Sequence, residues 1–452
     1  MNILVASILL GSVSAVLLLP RRAAMVALIV GGCCLPVAMS LELGPFNFYP
    51  LRLLLAAALL RIMLWADTPP GGMNGLDWAM VAWVLLALAS CLFYDEIADT
   101  LTNRLGLVFT AAGSYAAFRM FCHSHDDRLY LCRVLAWLMV PLALAMSYER
   151  LSGHNLFLAL GGLNDVPEVR NGAVRAQGPF AHSILAGSAG AMSLPLVWVL
   201  WRTNRHLTIA ATMAAFTMIL ASGSTGPILS ALCAAVALAL WHVRDHVRTL
   251  CWAALLAYIS LDLVMQAPAY YLMARIDLTG SSTSWHRAAL IEAAIDHLPQ
   301  WWLAGTDYTR HWIAYGVPWS PNHIDVTNHY LRLGVDGGLP LMLSFIVVLA
   351  IAFSYVGRAV RQVPANATAT NTNTNTNANT ATTSSHLVIW ALGAALFGHV
   401  VTFLSVSYFD QSVIFLYATL AAIASTTSRR DVPAHTRLAL RRVSIPGAVL
   451  RH

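Results

Sequence analysis

Apolar runs as long as a bilayer crossing recur along almost the whole chain, and they permit few folds. A helix needs about 20 apolar residues to span a hydrocarbon core of about 30 Å. Inside that core each backbone amide must be satisfied within its own segment, so runs of this kind become helices. They fall at about 3 to 19, 23 to 40, 50 to 65, 77 to 93, 104 to 121, 130 to 148, 179 to 201, 206 to 222, 225 to 242, 249 to 266, 338 to 357, 387 to 406 and 411 to 427. The chain is 58% hydrophobic and 11% charged, where a soluble domain carries about 25% charged residues. The expected fold class is all-α, a polytopic transmembrane helix bundle of about 12 to 13 spans. The first run lacks a basic n-region and leads directly into the second, so it reads as an anchor and not a cleaved signal peptide.

Basic residues in short loops stay on the cytoplasmic side. Arg21 and Arg22, Arg202 and Arg205, Arg244 and Arg248, Arg358 and Arg361, and a tail holding Arg429, Arg430, Arg437, Arg441 and Arg442 all fit one alternation. By parity, 150–178 and 267–337 lie outside and the C-terminus lies in the cytoplasm. The net charge of +6 then follows from topology and from a basic tail near anionic lipid, with no call for nucleic acid as a partner. Seven cysteines sit in or beside spans, none in the two outer loops, so no disulfide framework is implied. Cys122, His123, His125, Asp126 and Asp127 cluster, but their spacing matches no strong ligand pattern, and no metal site is expected.

This arrangement divides the chain into N-terminal membrane helices (1–150), a core with the two outer loops (151–357), a linker (358–386), a C-terminal hairpin (387–428) and the basic tail (429–452). Within the linker, ANATATNTNTNTNANTATTSS is polar, uncharged and too poor in apolar residues to pack, and reads as a flexible cytoplasmic segment. Its Asn-x-Thr triplets resemble glycosylation sequons that a cytoplasmic placement makes irrelevant.

The chemistry concentrates in the outer loops. The first delivers Arg170 and Arg175 to the mouth of the span beginning near Pro179, against the positive-inside bias. The second is rich in arginine, histidine and tryptophan, and reads as a helical cap between 267 and 337 lying against the membrane, where tryptophans favour the interface. Within it, SSTSWHRAALIEAAIDHLP carries helix signals, with Ser284 as N-cap and Pro299 as stop. Arg287 shares a face with Ile291, Ala294 and Leu298, a costly place for a cation unless it snorkels or meets an anion.

Arginine forks pair bidentately with phosphate oxygens, so Arg175 and Arg287 fit a pyrophosphate whose lipid tail stays among the helices. His329, in DVTNHYLRLGVDGG, could take a proton from an attacking sugar hydroxyl or position it. Asp325, four residues earlier, would fix the tautomer of His329 if that segment is helical. Asp336 and the glycines read as the turn into the next span, Arg332 as an interfacial anchor or glycan contact, and Arg52 and Arg61 as snorkelling or buried pairs. A secondary transporter or flippase for a lipid-linked or anionic substrate is the alternative, although it would want ionisable groups at mid-membrane and broken paired helices.

Three stretches carry a resemblance to the O-antigen ligase and O-antigen polymerase superfamily: VRAQGPFAHSILAGSAGAMSLPL followed by ASGSTGPILSAL, then STSWHRAALIEAAIDHLPQWWLAGT, then TNHYLRLGVDGGLP. The likeness covers about 150 to 357, plus the hydropathy profile of the whole. It implies a GT-C-like fold in the bacterial inner membrane with its site facing the periplasm, where a glycan passes from undecaprenyl pyrophosphate to a sugar hydroxyl of an acceptor glycan or lipid, with inversion and without metal or cofactor. By the same resemblance Arg175 and Arg287 bind the lipid pyrophosphate and His329 serves the acceptor. Arg170, His182, Arg310, His323 and Asn328 are further candidates for glycan or acceptor contacts. Other polysaccharide-assembly membrane proteins are implied as partners. The chain reads Asn328-His329 where many members place the histidine before an asparagine, which leaves His323, in PNH, as a rival. Polymerase and ligase are not separated by these motifs.

Overall fold

The computed structural model describes residues 3–361 and 375–427, apart from 37–38, 66–67, 70, 164, 276–283, 314–319 and 410. The basic tail, Trp319 and residues 362–374 of the expected linker lie outside the described residues. The rest is a helix bundle with two short hairpins. Its helices are α1 (Ile3–Leu18), α2 (Arg21–Cys34), α3 (Pro50–Leu64), α4 (Gly75–Ala89), α5 (Ile97–Phe121), α6 (His125–Ser152), α7 (Ser183–Trp198), α8 (Arg205–Ala221), α9 (Thr225–Ala239), α10 (Val247–Val264), α11 (Ser284–Asp296), α12 (Leu298–Trp301), α13 (His329–Arg361), α14 (Asn375–Thr402) and α15 (Ser412–Ala424). Strands β1 (Leu41–Leu43) and β2 (Phe46–Phe48) pair antiparallel, as do β3 (Val169–Arg170) and β4 (Ala173–Val174).

Among the described residues six helices are long and apolar enough to cross a membrane: Gly75–Phe93, His125–Ser152, Ser183–Arg202, Thr225–Val264, His329–Arg361 and Ser385–Thr402. Ile3–Leu18, Arg205–Ala221 and Ser412–Ala424 are apolar but shorter. The expected runs are thus helical, while the number long enough to span is smaller. The runs at 225–242 and 249–266 belong to one 40-residue stretch bent at Val243, α2 and α3 have only 14 and 15 residues, and α5 carries Asp99, Arg104 and Arg119. The Asn/Thr-rich segment also departs from expectation, since residues 375–384 are helical within α14. Once the apolar half of α14 is helical, adding turns is far easier than nucleating them.

Local signals fix several ends. Asn74 with Asp77, and Ser124 with Asp127, form capping boxes at α4 and α6. Asp127 also binds Arg21 and Arg22 at 2.9 and 2.7 Å, so its place in the Cys122–Asp127 cluster is structural. Arg61 is buried and donates to the carbonyls of Val16, Leu17 and Leu19 at the end of α1, where a cation also suits the helix dipole. This realises the buried pairing expected of it.

The loops expected on one side gather at one end of the bundle. There the Ala176 amide donates to Ala221 O (3.0 Å) and the His329 amide to Phe403 O (2.8 Å). Ser407 Oγ donates to Val326 O (2.7 Å), and Gln411 Nε2 to Pro179 O (2.8 Å). The second of these loops is helical in α11 and α12 and has its own small core of Leu290, Ala293, Ala294, Trp301, Trp312, Ile324, Val326 and Val335. Two tryptophans expected at an interface are therefore internal, with Trp301 Nε1 donating to Ala294 O and Trp312 Nε1 to Gln300 Oε1. A buried indole needs such a partner. Pro299 falls in the first turn of α12, just past the end of α11, as its stop signal required, and Ser284 is the first described residue of α11.

Helix α13 begins at His329, before the expected turn, and bends at Gly337 and Gly338. Gly338 has φ 75° and ψ −177°, a region open to glycine, and an added Cβ would run into the Leu303 carbonyl. The bend seats the cap, because the Thr306 amide donates to Val335 O and the Leu339 amide to Trp302 O. Gly338→Ala is expected to destabilise the protein by about 3 kcal/mol, from left-handed strain plus overpacking, read as a lowered thermal unfolding midpoint in detergent. An unchanged midpoint would show that the bend is easily rearranged.

Candidate functional site: an arginine-lined cavity

A cavity of about 740 Å³ opens where loops 150–178 and 267–337 meet α3, α5, α13 and α15, within the range of about 300 to 1,000 Å³ common for small-molecule sites. Arg170 and Arg175 enter from the first loop, Arg287 from α11, His323 and Asp325 from the segment before α13, and His329 from its first turn. Residues separated by more than 150 positions in sequence thus face one space. His182 also lines it.

Arg175 is 3% exposed. Its Nε donates to Ser222 O at 3.2 Å, one Nη to Ser224 Oγ, and the other to Glu168 in a close ion pair. Burial pushes its pKa down, and Glu168 opposes that. Glu168 Oε2 also takes a hydrogen bond from Ser183 Oγ (3.3 Å) and lies 3.7 Å from His182 Nε2, and its Oε1 is 3.9 Å from Arg170. His182 Nδ1 accepts the Ile184 amide, capping α7, and burial holds its pKa below the ordinary value.

Arg287 is held differently. No carboxylate pairs with it among the described residues, and its buried Nε has no hydrogen-bond partner. Burial lowers its pKa, and the nearby charges of Arg170 and Arg175 lower it further. A guanidinium kept at such a cost beside two others invites an anion.

The lining also contains a partly buried charge triad. Asp336 Oδ1 meets Arg104 Nη1 at 3.1 Å and Oδ2 meets Arg332 Nε at 3.1 Å. Asp336 is therefore an ion-pair centre just before the bend and not part of a turn, and Arg332 is one of its two partners. Tyr94 Oη, beside them, donates to the carbonyls of Ala304 and Val335. Arg52 faces the cavity, with Nη1 on Asn47 O (2.7 Å), Nε on Thr110 Oγ1 (3.3 Å), and its guanidinium over the Tyr49 ring. Six arginines and three aspartates line the cavity, so even with Glu168 counted the positive groups are in excess.

His329 is 6% exposed and packs against Phe345, Phe403 and Tyr408. Its Nδ1 accepts the Tyr408 amide at 3.3 Å. The expected link to Asp325 is absent among the described residues: the segment before His329 is not helical, so four residues of separation do not place the two side chains together. The carbonyl of Asp325 instead faces His286 Nε2 at 3.4 Å, and burial raises the pKa of its carboxyl. His323 Nδ1 lies 3.4 Å from Thr309 Oγ1, and burial lowers its pKa.

Two candidates do not line the cavity. Asn328 caps α13, its Oδ1 accepting the Tyr330 and Leu331 amides at 3.0 and 3.2 Å. Arg310 lies in the cap, where its amide donates to Asn322 O. Sequence reasoning missed Glu168, Arg104 and His286 as parts of the site. Signals existed for the first two, an acid two residues before Arg170 and an arginine at the start of an apolar run. No family model and no curated protein matches this chain.

Proposed function

We propose that the chain is a membrane glycosyltransferase of the O-antigen ligase or polymerase type. It would transfer a glycan from an undecaprenyl-pyrophosphate carrier to a sugar hydroxyl of an acceptor glycan or lipid. The observation that carries this reading is the cavity that Arg175, Arg287 and His329 line together with positive charge in excess. In this reading Arg170, Arg175 and Arg287 hold the pyrophosphate and neutralise the charge that grows as it leaves. The finer expectations go with it: a GT-C-like fold with about 12 to 13 crossings, some of them short or tilted, α11 and α12 as a periplasmic cap, and the bacterial inner membrane as location.

The test is reconstitution of the full chain in vesicles with undecaprenyl-pyrophosphate-linked oligosaccharide and an acceptor glycan. Release of undecaprenyl pyrophosphate, together with a lengthened or capped acceptor and no loss of rate in EDTA, is expected. Absence of transfer, or a strict need for a divalent metal, would overturn the reading.

A further inference from the structure

The carboxylates around the cavity differ in what already holds them. Both oxygens of Asp336 are committed to arginines. Glu168 is committed to Arg175 and Ser183. The oxygens of both are thus already occupied by N–H or O–H donors. Asp307 is exposed at the rim. Asp325 lines the cavity, is half-buried, and among the described residues its carboxylate enters no ion pair. Burial makes it more basic than an ordinary aspartate, with His286 and Arg332 opposing.

The histidine has the opposite disposition. A neutral imidazole has one accepting nitrogen and one that carries hydrogen. The Tyr408 amide points at Nδ1, so Nδ1 accepts and Nε2 carries the hydrogen. An imidazolium would set two N–H groups against each other at that contact. His329 can therefore donate from Nε2, but it has no free lone pair with which to take a proton.

We propose that Asp325 is the proton acceptor of the transfer, and that His329 donates a hydrogen bond from Nε2 to an oxygen bound in the cavity. This rests on the glycosyltransferase reading above. A lone pair of the acceptor hydroxyl oxygen forms the new bond to the anomeric carbon. The bond from that carbon to the pyrophosphate oxygen breaks, its electron pair leaving with the pyrophosphate, and the hydroxyl proton passes to the Asp325 carboxylate. No oxidant, reductant or further reactant is required.

The experiment compares Asp325→Asn, Asp325→Ala and His329→Asn with wild type in the reconstituted transfer assay, alongside binding of inorganic pyrophosphate to the purified full chain. Asp325→Asn is expected to lower the transfer rate at least about 100-fold, the scale of general base catalysis, with pyrophosphate binding retained. Added formate should restore part of the Asp325→Ala rate. His329→Asn, which keeps an N–H donor, should lose less than Asp325→Asn. Transfer by Asp325→Asn within threefold of wild type would overturn this assignment and leave the glycosyltransferase reading standing, as would loss of pyrophosphate binding in step with rate. No transfer by wild type would remove the reading itself, and this assignment with it.

Discussion

Arg287→Ala is expected to lower glycan transfer by two to three orders of magnitude while leaving the protein as stable as before, or slightly more so. Two charge-assisted hydrogen bonds to an anion, at about 1.5 to 3 kcal/mol each, account for a loss of that size. The stability half of the expectation follows from what surrounds Arg287. It has no carboxylate partner among the described residues, its Nε is unsatisfied, and Arg170 and Arg175 repel it. It is a half-buried cation held at a cost, so removing it relieves repulsion and, among the described residues, breaks no ion pair. Arg175 is the contrast, since it ties Glu168, Ser222 and Ser224 together, and its loss should lower both activity and stability. Arg287→Lys keeps the charge without the fork and should recover only part of the rate. Transfer kinetics and thermal unfolding of the same preparations check both halves. A variant that unfolds readily would show that Arg287 holds the fold, and one that transfers normally would remove it from the site.

Asp336→Asn is expected to cost about 2 kcal/mol of stability, less than the roughly 3 to 5 kcal/mol for breaking a fully buried ion pair from one side, because the Arg332 side chain is 38% exposed and water screens it. Arg104 and Arg332 would then face each other without the carboxylate that each meets at 3.1 Å. The damage should spread to the cap, because Asp336 immediately precedes the bend on which Thr306 and Leu339 anchor it. Thermal unfolding in detergent gives the size of the effect. The combination with Arg104→Met and Arg332→Met should recover much of the loss, since apolar replacement of a whole buried charge cluster is often tolerated. If Asp336→Asn alone unfolds like wild type, water in the cavity screens the triad and its role is confined to the site.

Much of the bundle was legible in the sequence because hydrocarbon leaves the backbone few choices. Each apolar run is a helix, and the loops placed together by the arginine alternation do share one end. Pro299 and the capping boxes at Asn74 and Ser124 mark ends through interactions a few residues long, which sequence displays directly. The failures share a cause as well. Asp325 was paired with His329 on the assumption of a helix that begins only at His329 itself. Trp301 and Trp312 read as interfacial by residue type, yet the cap encloses enough apolar surface to bury them.

Residue chemistry in the two long loops and at their ends was enough to nominate Arg170, Arg175, His182, Arg287, His323, Asp325 and His329, since arginines and histidines in a chain this apolar stand out against their surroundings. Their convergence on one cavity was decided by tertiary structure alone, as was the exclusion of Asn328 and Arg310. So were the partners that set each group's chemistry: Glu168 on Arg175, Arg104 and Arg332 on Asp336, and the Tyr408 amide on His329. These contacts join segments far apart in the chain, and local sequence carries no term for them. Sequence thus determined which groups were available, while packing of the helices determined which were neutralised, which were left charged and which could still accept a proton.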